Sequence, residues 1–547
     1  MPQTTVTENR DSTPTTQAGN TSDGANVAAL ATPNTIDNTQ TGDSVQSAAG
    51  SSVVKLPEAQ PQVLKQIGPI EIMGQSQSVP LLKTLLEPFL ASDGRVYVKQ
   101  PDTANVCVAL ITGPLGKKII QTEAMRNGQL LRRQQVDDVV NLLQVHADTD
   151  GDPKVVSYRV AKYGNGVEVD LGNKDGTRVR ISEGKVEIIE SGSPTRFYRT
   201  SSMKAMAYPT KVGNLKKLRK YLNVDDASYM LVIGWLSYTL LHPKEASAKY
   251  LILVINGFAG TGKTFLSTIL MMLLDPRSVG VQPLPTNGKD FAVAIQSAFL
   301  NVFDNTRAVP DWLSDLLCIC SSGGVTTARA LFTDSDQLFI VLHGPAIISS
   351  IGVPLSQADA IQRCLQVNSL QITDANRKSE LALMQEFLID LPEIQRGLFD
   401  LMAGVLLNLP RAQVTNPERM YDFCLHLAAM ELFDGVPAGI YQGVYSMHMR
   451  EGQREGLLDN VLAASVLEFS QSLKERWFGT PTELLKALNA FVPHGVTRSR
   501  QWPDNAISLS KRLTLLQAGL VTQGVQIEFV RGKHRAISIT NMEVGNE

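Results

Sequence analysis

Tyr250-Leu251-Ile252-Leu253-Val254-Ile255-Asn256 runs without a break into Gly257-Phe258-Ala259-Gly260-Thr261-Gly262-Lys263-Thr264, and Phe265–Leu274 follows as a second apolar stretch. A short continuous apolar run of this kind reads as a strand covered on both faces, and the longer stretch after it reads as a helix. Between them lies G-x-x-x-x-G-K-[ST], in the strand–loop–helix setting that gives the pattern its meaning. Glycines let the backbone wrap a phosphate chain, and successive N–H groups and the helix N-terminus then face the negative charge. Gly257, Phe258, Ala259, Gly260, Thr261 and Gly262 are expected to form that wrap. Lys263 is expected to reach the β- and γ-phosphates and the Thr264 hydroxyl to hold a magnesium ion, so ATP and Mg2+ are the expected cofactors. A glycine-rich turn with a chance Lys-Thr is the bland alternative, and the flanking strand and helix speak against it.

A phosphate loop of this type needs a second acid at a neighbouring strand end. Ala298-Phe299-Leu300-Asn301-Val302-Phe303-Asp304 supplies one downstream, so Asp304 is assigned to the magnesium shell. The next residue is Asn305, where many ATPases carry the glutamate that polarises the attacking water. An amide cannot take that proton. Either Asn305 only orients water, or another carboxylate such as Asp311 or Asp315 serves. A further strand, Phe339–Leu342, ends at His343, which is a candidate γ-phosphate sensor or else an ordinary histidine. Arg363, closing Gln357-Ala358-Asp359-Ala360-Ile361-Gln362-Arg363, is a candidate arginine finger or one half of a structural ion pair, with Arg329 as the second candidate.

Outward from this centre the pattern changes several times. Residues 1–63 contain no Phe, Trp or Tyr and carry six acids against two bases. Such a stretch buries too little apolar surface to offset its ordering entropy and is expected to be disordered. Residues 64–245 are expected to form an α+β accessory domain. Within it, Leu81–Phe89 and Gln134–Val145 have helical spacing, and Val96–Val98 and Val106–Ile111 look like short strands. Val167–Leu171, Thr177–Ile181, Lys185–Glu190 and Arg196–Thr200 alternate with period two and read as a meander. Asn214–Leu222 and Tyr229–Leu241 read as helices, the second buried. Residues 246–372 alternate strands and helices, the pattern of a parallel sheet. Residues 373–475 are expected to be helical.

Residues 476–547 are expected to form a winged-helix-like module, with Pro481–Ala490 and Asn505–Leu516 as its helices. Val525–Phe529 and Ala536–Thr540 would be the hairpin forming the wing. Between Val496 and Thr540 stand seven bases, Arg498, Arg500, Lys511, Arg512, Arg531, Lys533 and Arg535, against two acids, in a chain whose net charge is −2. These seven are the candidate DNA-binding residues. A solvated helical cap with a charged loop is the alternative.

Hydrophobic residues make up 43% of the chain and charged ones 19%, the balance of a soluble globular protein. No apolar run is long enough to span a bilayer and no signal pattern opens the sequence, so a cytoplasmic protein with no membrane partner is expected. The five cysteines are scattered; only Cys318 and Cys320 are close, and a lone C-x-C is a poor zinc site.

With these stretches in hand, the sequence resembles a family of helicase-like ATP-binding proteins of phages, plasmids and integrated elements. That family is related to superfamily 3 and to phage primase–helicase AAA+ ATPases. The resemblance rests on Val167-Glu168-Val169-Asp170-Leu171-Gly172, Arg196-Phe197-Tyr198-Arg199-Thr200, the phosphate loop and Phe303-Asp304-Asn305. It continues through Pro310-Asp311-Trp312-Leu313-Ser314-Asp315, Gly323-Gly324, Arg329-Ala330-Leu331-Phe332-Thr333-Asp334 and Gln362-Arg363. It covers roughly residues 95–540. It implies a homo-hexameric ring ATPase acting on single-stranded or forked DNA during replication of a mobile element, with an AAA+-type core. It also implies that Asp304-Asn305 is the family's own form of the second motif. The family carries Asn at the sensor position where this chain has His343. The segment Arg329–Leu342 resembles the family's pore hairpin, but its tip, Asp334-Ser335-Asp336, is acidic and suits phosphate badly.

The expected fold is therefore multidomain, α/β and α+β, and the expected function is an ATP-driven DNA helicase or translocase. The alternative is an ATP-dependent DNA-binding regulator or assembly switch that does not unwind.

Overall fold

Each face of the strand Ile252–Asn256 is apolar, and each meets a different core. Leu253 and Ile255 pack into one hydrophobic cluster, Ile252 and Val254 into another. A strand covered on both sides belongs in the middle of a parallel sheet, and that is where it lies. The computed structural model describes residues 75–542, except 102, 150–151, 246, 307–308, 330–336, 352–356, 500–501 and 531–534. The expected tail, 1–63, lies outside the described residues.

The described chain opens with α1 (Gln75–Leu86), β1 (Phe89–Leu90), β2 (Val96–Lys99), β3 (Cys107–Leu110), α2 (Pro114–Arg126) and α3 (Arg133–Thr149). A four-stranded antiparallel meander follows: β4 (Val160–Tyr163), β5 (Gly166–Asp170), β6 (Arg178–Ser182) and β7 (Lys185–Ile189). The expected last meander strand, Arg196–Thr200, does not join it. Only β8 (Phe197–Tyr198) forms there, and it pairs in parallel with β3, Cys107 opposite Phe197. The cause is a polar clasp over the connecting loop. Buried Glu168 accepts from the Ser193 hydroxyl at 2.5 Å and the Thr195 hydroxyl at 2.6 Å, and Ser193 N–H donates to Asn105 Oδ1 at 2.9 Å. These bonds turn the chain back toward the first sheet before another hairpin can close. Asn214–Leu222 winds as a 3-10 turn over Leu215–Tyr221 rather than an α-helix, and α4 (Asp226–Leu241) is buried as expected, with Asp225 capping it.

The central part is built from β9 (Ile252–Asn256), α5 (Lys263–Leu274), β10 (Gln282–Pro283), α6 (Gly288–Gln296), β11 (Asn301–Thr306) and α7 (Asp311–Ser322). It continues with β12 (Gly324–Arg329), β13 (Gln337–Leu342), β14 (Ala346–Ser350), α8 (Ala358–Ile361) and β15 (Cys364–Asn368). Five of these strands form an all-parallel sheet in the order β10-β11-β14-β9-β15. Helices α4 and α5 contribute to the core on one face and α6 and α7 to that on the other. The strand expected at Phe339–Leu342 is not in this sheet. It lies in β13, which pairs with β12 as a separate antiparallel ribbon, Gly324 opposite Leu342 and Arg329 opposite Gln337. The acidic tip of that ribbon falls outside the described residues.

The helical stretch comprises α9 (Glu380–Asn408), α10 (Tyr421–Asp434), α11 (Ile440–Leu458) and α12 (Val461–Ser472). Its α9 and α10 share one core with the meander, α4 and the parallel sheet. The last segment holds β16 (Trp477–Gly479), α13 (Pro481–Phe491), α14 (His494–Thr497), α15 (Ala506–Thr522), β17 (Val525–Val530) and β18 (Ala536–Asn541). Its three strands are antiparallel in the order β16-β18-β17, and its core draws in Leu462, Val466 and Phe469 of α12.

One buried ion pair ties the meander to the parallel sheet. Arg159, fully buried, donates from Nε to Asp275 Oδ1 at 3.0 Å, at the C-cap of α5. The other Asp275 oxygen accepts the backbone N–H groups of Phe299 and Leu300 at 3.1 and 3.2 Å, just before β11. Among the described residues no helix is long and apolar enough to cross a membrane, and all five cysteines are free thiols.

Candidate active site

The C-terminal ends of β9, β14 and β11 lie side by side, with Asn256 opposite Ser350 and Ser350 opposite Thr306. Lys263, Thr264, Asp304 and Ser349 come together here. Gly260 and Gly262 have φ of 80° and 82°, a left-handed backbone that side-chain-bearing residues adopt at a cost. That geometry turns the loop into α5, whose first helical residue is Lys263. Lys263 Nζ folds over the loop and donates to the carbonyls of Gly257 and Phe258 at 2.7 and 2.8 Å. Burial pulls its pKa down, and the charge of Asp304 partly opposes that.

The Thr264 hydroxyl donates to Asp304 Oδ2 at 2.7 Å, so the two residues assigned to magnesium from sequence meet. Burial raises the Asp304 carboxyl's pKa, but hydrogen bonds from Ser349, Thr264 and the Asn305 N–H, with the charge of Lys263, hold it below its usual value. Asp304 is therefore an anion at neutral pH, aimed at the hydroxyl of Thr264. Among the described residues no group of three or more His, Cys, Asp or Glu side chains is placed to hold a metal alone. The donors at this point are one hydroxyl and one carboxylate, a set suited to a cation shared with phosphate oxygens.

Asn305 follows at φ 57°, in a break of register between β11 and β14. Among side-chain-bearing residues asparagine tolerates this conformation best. The backbone thus gives a reason for an amide where a glutamate would be strained. Asp315 is exposed on α7, and the Asp311 side chain is outside the described residues.

Ser349 and Asn223 carry weight that the sequence did not signal. The Ser349 hydroxyl bonds Asp304 Oδ1 and accepts the Asn305 N–H at 3.3 Å, so it sets the acid from the neighbouring strand. Asn223 donates to the carbonyls of Thr261 at 3.1 Å and Leu370 at 2.6 Å, pinning the phosphate loop to the chain on both sides. A lone Asn after a helix, and a Ser within an apolar strand, carry no pattern.

The position of His343 does not support the sensor role expected of it. Its Nε2 lies 2.8 Å from the Ala248 carbonyl and its ring packs against Tyr250, before the start of β9. A five-residue parallel strand spans about 13 Å, and His343 lies beyond the far end of β14 from the phosphate loop. Burial lowers its pKa, which fits a neutral structural ring. Arg363 likewise precedes β15, at the end of the sheet remote from its own phosphate loop. It bonds Asp359 at 3.2 Å, and Asp359 also holds Arg419. Arg329 ends β12, and its side chain is not among those described.

In the last segment Arg498, Lys511 and Arg535 are exposed and Arg512 is partly covered; Arg500, Arg531 and Lys533 lie outside the described residues. The open face of α15 also carries Ile507 and Leu515, 72% and 79% exposed.

Residues 214–440 match the family described as Actinomycete integrative conjugative element replication protein, and residues 462–546 match the AICE RepA C-terminal domain. No curated protein matches the chain. Among solved structures, SCCmec type IV Cch, an active helicase, aligns at 10% identity over 84% of this chain and 93% of its own, with a TM-score of 0.40. The apo NrS-1 C-terminal region aligns at 13% over 85% of this chain and 98% of its own, with a TM-score of 0.37. JCV helicase aligns at 15% over 43% and 70%, with a TM-score of 0.18. Likenesses this distant carry no functional argument.

Proposed function

For a chain that belongs with the AICE RepA replication proteins of integrative conjugative elements, we propose an ATP-driven, superfamily 3-like helicase or translocase acting on the element's DNA in the cytoplasm. The observation that carries this reading is the convergence of Lys263, Thr264 and Asp304 at one end of a parallel sheet. The parallel strand order, with β9 between β14 and β15, supports an AAA+-type core.

In this reading the loop N–H groups and Lys263 bind the triphosphate, Thr264 and Asp304 hold the cation, and Ser349 fixes the acid. A bound Mg2+ would neutralise charge on the terminal phosphates. Asn305 orients water through its amide. Arg363 precedes β15, at the end of the sheet away from its own phosphate loop, so a finger role for it would need a neighbouring subunit of a homo-hexameric ring. The helix–strand order of residues 476–547 supports a winged-helix-like module. It would bind single-stranded or forked DNA through Arg498, Arg500, Lys511, Arg512, Arg531, Lys533 and Arg535.

One observation favours a second reading, an ATP-dependent DNA-binding regulator or assembly switch: the amide of Asn305 stands where a catalytic carboxylate would. ATPase and strand-displacement assays on the same preparation separate the two. The helicase reading expects both activities, and expects Lys263→Ala to lose both while unfolding like the parent. DNA-stimulated hydrolysis without displacement leaves the regulator. Full turnover by Lys263→Ala removes both readings.

A further inference from the structure

A cavity opens beside Asp304, on the side of β11 away from the phosphate loop. It is bounded by the end of β10, by Asp304–Thr306 and by the start of α7. Apolar residues line much of it: Pro283, Leu284 and Pro285 at and after the end of β10, and Pro310 and Trp312 at the start of α7. Trp312 is 38% exposed, a large aromatic face partly turned to solvent. Gly288, at the N-terminus of α6, lies near the ring: a Cβ placed on it would be 3.9 Å from the indole.

Four polar residues, Thr286, Asp304, Asn305 and Thr306, line the same space, and the last two matter most here. The Asn305 side chain is exposed there, its backbone held left-handed. Thr306 is 4% exposed, and its hydroxyl has no hydrogen-bond partner. A buried hydroxyl without a partner costs free energy, so its persistence calls for an explanation. Aromatic and proline walls with a few polar groups at one end are what a flat, polar-edged heterocycle requires. Aromatic side chains on which unpaired bases stack are the means by which proteins hold single strands without reading sequence.

We infer that this cavity seats an unpaired nucleobase of single-stranded DNA, stacked on Trp312 with its polar edge toward Thr306 and Asn305. The inference deepens the DNA-motor reading and rests on it. It places a DNA contact next to the acid assigned to magnesium and at the amide assigned to orient water. Occupancy of the cavity then bears directly on Asn305, which gives DNA a short physical route to the rate of hydrolysis. Among the described residues, no basic residue of the C-terminal module lines this site.

The test uses the full chain with a non-hydrolysable ATP analogue and two probes, an oligothymidylate and an abasic sugar-phosphate chain of equal length. The parent is expected to bind the base-bearing chain more tightly and to show quenching of tryptophan fluorescence that disappears in Trp312→Phe. Trp312→Ala is expected to weaken oligothymidylate binding roughly five- to a hundredfold, the range for one lost stacking contact. Its affinity for the abasic chain and its DNA-free ATPase rate should be those of the parent. Trp312→Tyr should restore most of the preference, and Thr306→Val, of nearly the same shape, should lose a smaller part of it. The inference is overturned if the parent does not distinguish the two chains, if Trp312→Ala and Thr306→Val bind oligothymidylate as the parent does, or if adenosine quenches Trp312 and oligothymidylate does not. Absence of DNA-stimulated turnover in a parent that still shows base-dependent quenching would remove the motor reading and leave the cavity's assignment standing.

Discussion

The Arg159–Asp275 pair should be costly to break singly and much cheaper to remove whole. Replacing Arg159 by Met leaves the Asp275 carboxylate buried with the Phe299 and Leu300 N–H groups as its hydrogen-bond partners and only the more distant charges of Lys244 and Arg277 to offset its own. Breaking one side of a buried pair costs about 3–5 kcal/mol, because the remaining charge is uncompensated. Arg159 also donates to the carbonyls of Asp170 and Lys204, at 2.9 Å each. Leaving these unmade adds about 1 kcal/mol apiece. The expected loss is roughly 5–7 kcal/mol, a large part of the 5–15 kcal/mol typical of a folded chain. Asp275→Ala should cost a similar amount, since it strands the guanidinium and two backbone donors. The double variant removes both charges and should fall short of the summed singles by about 3 kcal/mol, the share due to uncompensated charge. Urea unfolding followed by the fluorescence of Trp235, in the adjoining core, reads this directly. If the three variants add to within about 0.5 kcal/mol, the pair is not coupled and the reasoning fails.

Arg363→Ala and Lys263→Ala subunits, each inactive alone, should regain ATPase activity when mixed, since a finger in trans is worth about a thousandfold or more; a fully active Arg363→Ala protein refutes the role. Ser349→Ala removes one of the bonds that hold the Asp304 carboxyl low. A depressed carboxyl contributes stability that is present above its unfolded pKa, about 3.9, and is lost as pH falls through the folded value. In Ser349→Ala the acid limb of Mg2+-dependent turnover should therefore move to higher pH, and an unmoved limb means Ser349 does not set the acid. Changing Arg531, Lys533 and Arg535 together to Ala should flatten the dependence of log affinity on log salt by roughly two to three units on duplex DNA. DNA-free ATPase should be unaffected, and parental binding across a salt titration would leave the module a cap.

The strand, glycine turn and helix about Gly257–Thr264 were legible because they are contiguous in sequence. Asp304 was legible for the same reason, as an acid ending an apolar run. His343 misled because apolar runs look alike wherever they pair. Phe339–Leu342 lies in the ribbon, whereas the strand that flanks β9 is the less conspicuous Ala346–Ser350, introduced by Pro345. Arg196–Thr200 alternated like a strand, but its partner was decided by Asn105 and Glu168, far back in the chain. Helix α2 announced itself only by a proline at its first turn, a weak signal. Contacts such as Arg159–Asp275 and Ser349–Asp304 join distant residues, and no spacing rule connects them.

The shared core has a practical side for dissecting the protein. Leu231 and Trp235 of α4, Val169 of the meander, Leu253 of the sheet and Phe399 of α9 are buried together. A fragment starting at 246 would open that surface to water and should aggregate rather than hydrolyse ATP. At the other end, Leu462 and Val466 of α12 pack with Leu484, Leu509 and Ile537. A DNA-binding fragment cut at 476 would lose a wall of its interior, whereas one begun ahead of Asn460, whose side chain caps α12, keeps it. Limited proteolysis should accordingly spare both junctions and yield no stable piece ending at either.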